Sequence, residues 1–404
     1  MLVYLVNILL IIVWAVIFSI GKRTKLKTII FVAICFLQLY LISAYRIGIG
    51  ADYKMYSDGF FLMAVDVSRN GFNLGAYEDW EIGYILLNKF IGIFTARPAD
   101  FFMISSLLPL VGPAYLVIRY SRNPFMSVFL YVNLYLFYLD INFVRQGIAM
   151  SILCFAYGFL KDRKFWRFLL IVALAACFHL TAIYMIPVFL VCLLKVNTRT
   201  LLLYLFGLLF YYILSDGLLN IVLSSFHSEY SGSIFIENGV FVHYAFYPLL
   251  LCAAMVFLSY YVKDLTPTMH MLIHLTLMMG FWQIVMTKHA LFERFSYYTM
   301  LFVILAVPEA LKTFSGQLKE NLTAKYTESL GTSEGDKNRV AVAKASAAAS
   351  RTVMLVTAGV LVLAFAYNMM GLIVPEHGVH GVLPYRTRLD FELPSIDGII
   401  KFWQ

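Results

Sequence analysis

The sequence predicts an all-α polytopic integral membrane protein of about twelve transmembrane helices, and three observations predict it. Hydrophobic residues make up 61% of the 404 and charged residues only 13%, with a mean hydropathy of +0.80. Uncharged apolar runs recur along the whole chain, many near the ~20 residues that carry a helix across a hydrocarbon core. Lys and Arg gather between those runs, as they do in cytoplasmic loops. In lipid every backbone polar group needs an internal partner, so such runs become helices. One transmembrane domain over residues 1–404 is expected, not a string of soluble domains.

The first run, residues 1–20, has no basic residue before it, and its positive charges follow at Lys22, Arg23, Lys25 and Lys27. That order is the reverse of a secretory signal. It reads as a retained span with the N-terminus outside. The run 28–44 then returns outward and ends at Tyr45-Arg46-Ile47-Gly48-Ile49-Gly50-Ala51-Asp52-Tyr53-Lys54-Met55-Tyr56. A first external loop, 45–100, is expected, with 81–95 as a helix lying in the interface, because that run is short and carries Asn88 and Lys89. Residues 101–118 cross inward to Arg119 and Arg122, 125–139 outward, and 147–160 inward to Lys161 and Arg163.

The thirty-residue apolar stretch 165–194 has basic flanks at both ends and His179 near its middle. Two short helices meeting outside at His179 satisfy the charge rule, whereas one long span does not. Residues 200–214 lead outward to a second external loop, 215–240, with Asp216, His227, Glu229 and Glu237. Spans at 241–262, 267–287 and 295–312 follow. The polar, Ala/Ser-rich segment 313–351 reads as a mobile cytoplasmic loop. A last span, 352–373, precedes an external tail, 374–404.

The net charge of +8 does not call for nucleic acid. Assigned to their expected sides, the charges leave the cytoplasmic face basic and the external face acidic, the ordinary signature of a membrane protein. The five cysteines lie singly in apolar runs without metal-ligand spacing, so no metal and no cofactor is expected. No P-loop, HExxH, GxSxG or dinucleotide fingerprint is present.

With this topology the singular polar residues fall on one face: Arg46 and Asp52, Asp140, Arg145 and Gln146, His179, and Glu293 with Arg294. Ionisable groups at membrane depth are expensive to bury without a purpose. Several arginines around one external cavity suit a diphosphate, and a carboxylate or imidazole beside them suits proton removal from a hydroxyl. Each residue also has a plainer reading. Arg46 and Asp52 can pair with each other, Arg145 can snorkel, His179 can be a hydrogen-bonded core residue, and Asp140 can cap the next helix. Tyr77, Trp80 and Tyr84 suit sugar stacking, but interface anchoring is the favoured reading.

Several of these motifs together resemble the EpsG-like polysaccharide polymerases of the broad Wzy class. Arg46 to Tyr56 is similar to their R-x-G-x-D-Y-x-x-Y exit, Glu81-Ile82-Gly83-Tyr84 to E-x-G-[YF], and Asn142 to Ala149 to N-x-x-R-Q-x-x-A. Phe178 to Ala182 resembles F-H-x-[ST]-A, and Arg294 to Tyr298 a late R-x-x-x-Y. The resemblance covers roughly residues 40–300. It implies a GT-C-like membrane glycosyltransferase that polymerises oligosaccharide repeats for O-antigen, capsule or exopolysaccharide in the bacterial inner membrane. Donor and acceptor would both be carried on undecaprenyl diphosphate, with a flippase and a chain-length regulator as partners. His179, Asp52 and Arg145 would be catalytic, with His179 or Asp52 as the base. Arg46, Arg294, Gln146, Tyr53, Tyr56 and Glu81 would bind substrate. A lipid-linked oligosaccharide flippase and a membrane O-acyltransferase are the alternatives. The first requires a polar path open to the cytoplasm, and the second a cytoplasmic acyl-donor site; neither is visible in the sequence.

Overall fold

The computed structural model describes residues 1–73, 80–226, 243–329, 335–375 and 379–387. Among them the chain is helical almost throughout; an isolated bridge pairs Arg46 with Thr387. In order, the helices are α1 (Leu2–Ser19), α2 (Lys25–Ala44), α3 (Tyr53–Asn70), α4 (Ile82–Gly92), α5 (Pro98–Ser105) and α6 (Leu108–Tyr120). Then come α7 (Pro124–Asn133), α8 (Leu136–Asn142), α9 (Val144–Cys154), α10 (Tyr157–Lys161), α11 (Phe165–Ala176) and α12 (Met185–Cys192). The last are α13 (Thr198–Phe226), α14 (His243–Tyr261), α15 (Pro267–Val285), α16 (Glu293–Met300), α17 (Val303–Ser329) and α18 (Gly335–Ile373). Short 3₁₀ turns occupy Leu180–Tyr184, Ala290–Phe292 and Val379–Gly381.

Among the described residues, seven helices are long and apolar enough to cross a membrane. The number is nine if two bent pairs each count as one span. One is α7 with α8, bent by 51°, and the other is Ala290–Met300 with α17, bent by 52°. The segments expected as spans at 147–160, 165–178 and 179–194 contain shorter apolar helices, Val144–Cys154, Phe165–Ala176 and Leu180–Cys192. The physical reason is visible at His179, whose extended backbone (φ −157°, ψ 112°) interrupts the long apolar stretch. At the α7/α8 bend Tyr135 has φ 64° and its hydroxyl donates to the Tyr367 carbonyl. That approach needs Gly371, since a Cβ there would lie 2.5 Å from the Tyr135 ring.

Two expected loops are helical. The first external loop contains α3 as well as α4, and α4 at 11 residues is about half a spanning length. The Ala/Ser-rich segment 313–351 is not a loop over its described part: α17 runs through it to Ser329 and α18 begins at Gly335. Alanine is the best helix former, and composition that looked like low complexity is helix-forming composition. Similarly, α13 continues to Phe226, into the segment expected as the second external loop; residues 227–240 of that loop, Tyr77, and 376–378 and 388–404 of the tail lie outside the described residues.

The main core runs through α7, α8, α15 and the start of α17. A second, separate core of Tyr56, Phe60, Tyr84, Phe101, Phe102 and Val144 lies beneath α3, α4 and the start of α9. At its peak α6 and α9 nearly touch: a Cβ on Gly112 would lie 2.0 Å from the Ser151 carbonyl oxygen, and the Gly112 amide donates to Ser151 Oγ at 2.8 Å. Small residues permit that approach between helices in lipid. It holds the later part of α9 against α6, and the site is built at the opposite, N-terminal end of α9.

Candidate active site where four helices begin

The turn from α2 into α3 rests on two glycines. Gly48 and Gly50 have φ of 61° and 100°, a region that costs an L side chain ~1–2 kcal/mol. A Cβ on Gly50 would also meet Asn142 Oδ1 at 3.3 Å. Asn142 Oδ1 instead accepts from the Asp52 amide at 3.0 Å. From the other side the C-terminal segment closes over the turn. Ile47 N donates to Arg386 O at 3.0 Å, Gly50 N to Gly381 O at 3.0 Å, and Ala51 N to His380 O at 3.1 Å.

Glu81, the residue before α4, is the hub. Its Oε2 accepts from Arg145 Nη1 at 2.6 Å, and its Oε1 pairs with His179 Nδ1 at 3.0 Å and accepts from the Leu180 amide at 3.1 Å. The Gly83 amide donates to Cys177 O at 2.7 Å and ties the two chain segments together. Arg145 also lies over the Trp80 ring at 4.9 Å, a cation–π contact, and interacts with the Tyr56 hydroxyl. Beside it, Gln146 Nε2 donates to the Arg294 carbonyl at 2.7 Å. Among the described residues the Arg294 guanidinium faces the Phe143 ring at 5.6 Å and has no ion pair.

Asp52, Glu81, Arg145 and Arg294 stand at the N-terminal ends of α3, α4, α9 and α16. Helix N-termini carry partial positive charge. Two arginines and four such ends make this an anion-favouring place, kept from excess by Asp52 and Glu81.

Protonation states follow. Burial works to raise Glu81, but the His179 hydrogen bond and the Arg145 and His179 charges outweigh it and hold the carboxyl down at about 2. Burial pushes His179 below its ordinary 6.5, with Glu81 pulling the other way. At neutral pH the pair is therefore carboxylate and neutral imidazole. A carboxylate only accepts, so the shared proton sits on Nδ1 and the Nε2 lone pair is left over. Nε2 is buried and has no partner among the described residues, as have Arg145 Nε and Gln146 Oε1. Asp52 is raised by burial and pulled back by Arg294, Arg145 and His380.

The structure thus brings together Glu81, Arg145 and His179 by direct contact, and Gln146, Arg294 and Asp52 beside them. Arg46 is elsewhere. It is 1% exposed, does not pair with Asp52, and donates to Ser43 O at 2.5 Å, Ser43 Oγ at 2.9 Å, Ser106 Oγ at 2.8 Å and Ile141 O at 3.1 Å. Its guanidinium stacks on Phe102 at 4.7 Å. Burial lowers it to about 10, against nearby tyrosines that raise it, so it stays charged. Tyr53 stacks on the same Phe102 at 4.3 Å, and Tyr56 is buried against Trp80 and Tyr84. Of these three, Tyr56 meets Arg145, whereas Arg46 and Tyr53 pack on Phe102. Asp140 does not cap α9; it is buried and accepts from the Tyr131 hydroxyl.

The spacing of the sequence did not reveal His380. It reaches the site on the 3₁₀ turn Val379–Gly381, where its ring packs against Phe143 at 5.1 Å and its Nε2 meets the Tyr297 hydroxyl at 3.1 Å. Burial lowers its pKa, with Glu293 and Asp52 acting against that. Tyr297 also donates to Glu293, so Glu293 is joined to this second cluster and not to Arg294. A lone histidine in a Gly/Val segment carries no local signal; only the return of the chain gives it a role. Among the described residues no group of three His, Cys, Asp or Glu could hold a metal ion.

The family model of the EpsG family matches residues 28–327. The chain belongs to the EpsG family. Neither a curated protein nor a solved structure matches it. Membership points to a membrane protein of the polysaccharide-polymerase type, in keeping with the seven to nine candidate spans. For this EpsG-family chain the match includes Glu81, Arg145, His179 and Arg294 and stops before His380.

Proposed function

We propose that the protein is a polysaccharide polymerase. It transfers a glycan from undecaprenyl diphosphate to a hydroxyl of another lipid-linked repeat, on the external face of a bacterial cytoplasmic membrane. The observation that carries this is the Glu81 bridge between Arg145 and His179, which leaves a neutral imidazole with a free Nε2 beside two arginines.

In the reaction the acceptor oxygen attacks the anomeric carbon as its proton passes to His179 Nε2. The imidazolium formed is stabilised by the Glu81 carboxylate on its other nitrogen, in the manner of a base oriented by an acid. The bond from the anomeric carbon to the phosphate oxygen breaks, and its electron pair leaves with undecaprenyl diphosphate. Arg145 and Arg294 meet the charge that develops there, a task that otherwise falls to a metal. Asp52 keeps the arginines from holding the diphosphate product too tightly. A flippase that delivers the substrate and a chain-length regulator are the partners such an enzyme works with.

In cells lacking the gene, restored with Arg145→Ala, lipid-linked glycan should stop at one repeat while protein level stays normal. A normal polymer length distribution in that strain would sink the proposal. Accumulation of single repeats on the cytoplasmic leaflet would instead favour a flippase.

A further inference from the structure

A cavity of about 190 Å³ lies behind the arginines. Tyr135, Tyr244 and Tyr367 form its aromatic walls, and Gln283, Glu293 and His380 its polar ones. A cavity of ~150 Å³ holds a benzene ring, so this one has room for one monosaccharide ring. Gln283 is 2% exposed; its Nε2 is used by Ser296 Oγ at 2.8 Å, but its Oε1 has no partner among the described residues. A buried acceptor without a donor costs about 1–3 kcal/mol, and a bound hydroxyl would relieve it. Glu293 is a second acceptor whose other contacts are the Tyr297 hydroxyl and, at 4.0 Å, His380 Nε2.

The lining selects a chemistry. Tyrosine faces suit the C–H faces of a sugar, and acceptors arranged around them suit its hydroxyls. The Glu293 carboxylate repels phosphate. The cavity is nonetheless adjacent to the cationic centre. Glu293 and Arg294 are consecutive, and the Phe143 ring touches Arg294 on one side and His380 on the other.

Resting on the polymerase reading, we infer that this cavity is a saccharide subsite that holds one uncharged sugar ring of the acceptor glycan, while the diphosphate is held at Arg145 and Arg294. The acceptor hydroxyl is then presented past Phe143 towards His179.

Saturation-transfer NMR on the full-length protein in nanodiscs tests this, with the free repeat oligosaccharide, released by mild acid from the host's lipid-linked intermediate, as probe. The wild type should bind it. Glu293→Gln, nearly isosteric, and Tyr244→Leu, on a different helix, should each weaken binding about tenfold or more with melting temperatures within a few degrees of wild type. Added inorganic pyrophosphate, which competes for the arginines, should leave binding unchanged. No binding by the wild type, undiminished binding by whichever of the two variants folds, or displacement by pyrophosphate would each overturn the inference. If cells lacking the gene still make polymer, the polymerase reading fails by itself, and the binding result still reports on the cavity.

Discussion

Arg46 and Arg145 both follow apolar runs and both sit in family motifs, yet the fold gives them opposite tasks. Arg46 spends its guanidinium on four protein acceptors and a phenylalanine ring. A lysine has one compact ammonium and cannot span those acceptors. Arg46→Lys should lower stability by about 2–4 kcal/mol, read as a fall in melting temperature in detergent, with activity per folded molecule retained. Arg145 instead pairs with Glu81 and lies over Trp80, and in the proposed reaction it meets the charge on the diphosphate. For His179 the sign of the pH effect is fixed. In the proposed reaction the neutral form is the base, and burial lowers its pKa from 6.5, so activity should persist at neutral pH and fall on the acid side of 6.5. Glu81 holds that pKa up, so Glu81→Gln should move the acid limb to still lower pH as well as slow turnover. Asp52→Asn should leave the limb with an imidazole-like midpoint; its disappearance would make Asp52 the base. Arg145 and His179 could be singled out in the sequence because ionisable groups at membrane depth are expensive to bury, and Glu81 through its place in the E-x-G-[YF] motif. The sequestration of Arg46 was not legible, because two of its partners are backbone carbonyls and two of its acceptors, on Ser106 and Ile141, come from distant segments.

Among the elements, the hairpin of α3 and α4 does the positioning. Trp80 and Glu81 reach Arg145 because α4 is anchored on α3, and Lys89 is the anchor. Its side chain is fully buried and pairs with Asp66 at 2.7 Å and with Asn73 Oδ1 at 2.9 Å. Asp66→Ala would leave a buried ammonium short of its counter-charge. It should raise protease cleavage within residues 53–92 and reduce polymer, whereas Lys89→Met should preserve both. Intact, uncleaved protein in Asp66→Ala would refute the anchoring role. The sequence marked α4 as short and interfacial from Asn88 and Lys89, but treated α3 as loop. Its charged residues, Asp58, Asp66 and Arg69, masked the apolar stripe of Tyr56, Phe60, Met63 and Ala64 that is buried. The same bias against polar helices hid the part of α17 beyond residue 312 and the start of α18.

At the scale of the molecule, the chain closes on itself. Tyr4 donates to Val382 O at 3.0 Å across 378 positions, Tyr385 to Ile42 O at 2.8 Å, and three amides of the 47–51 turn bond to 380–386. Gly381 has φ 71°, and a Cβ there would lie 3.1 Å from the Ala51 amide. Gly381→Ala should therefore cost about 1–2 kcal/mol and disturb the turn, and deletion of residues beyond 375 should abolish polymer without preventing membrane insertion. Polymer of normal length from the deleted chain would show the closure to be dispensable. The family match ends before this segment, and pattern reasoning cannot find partners so far apart. The closure also orders events during synthesis. A ribosome releases Gly50 and Asp52 long before Gly381 exists, so the early helices enter the membrane with the turn still lacking its last three hydrogen bonds. A chain stalled before residue 380 is a chain whose 47–51 turn still lacks those bonds.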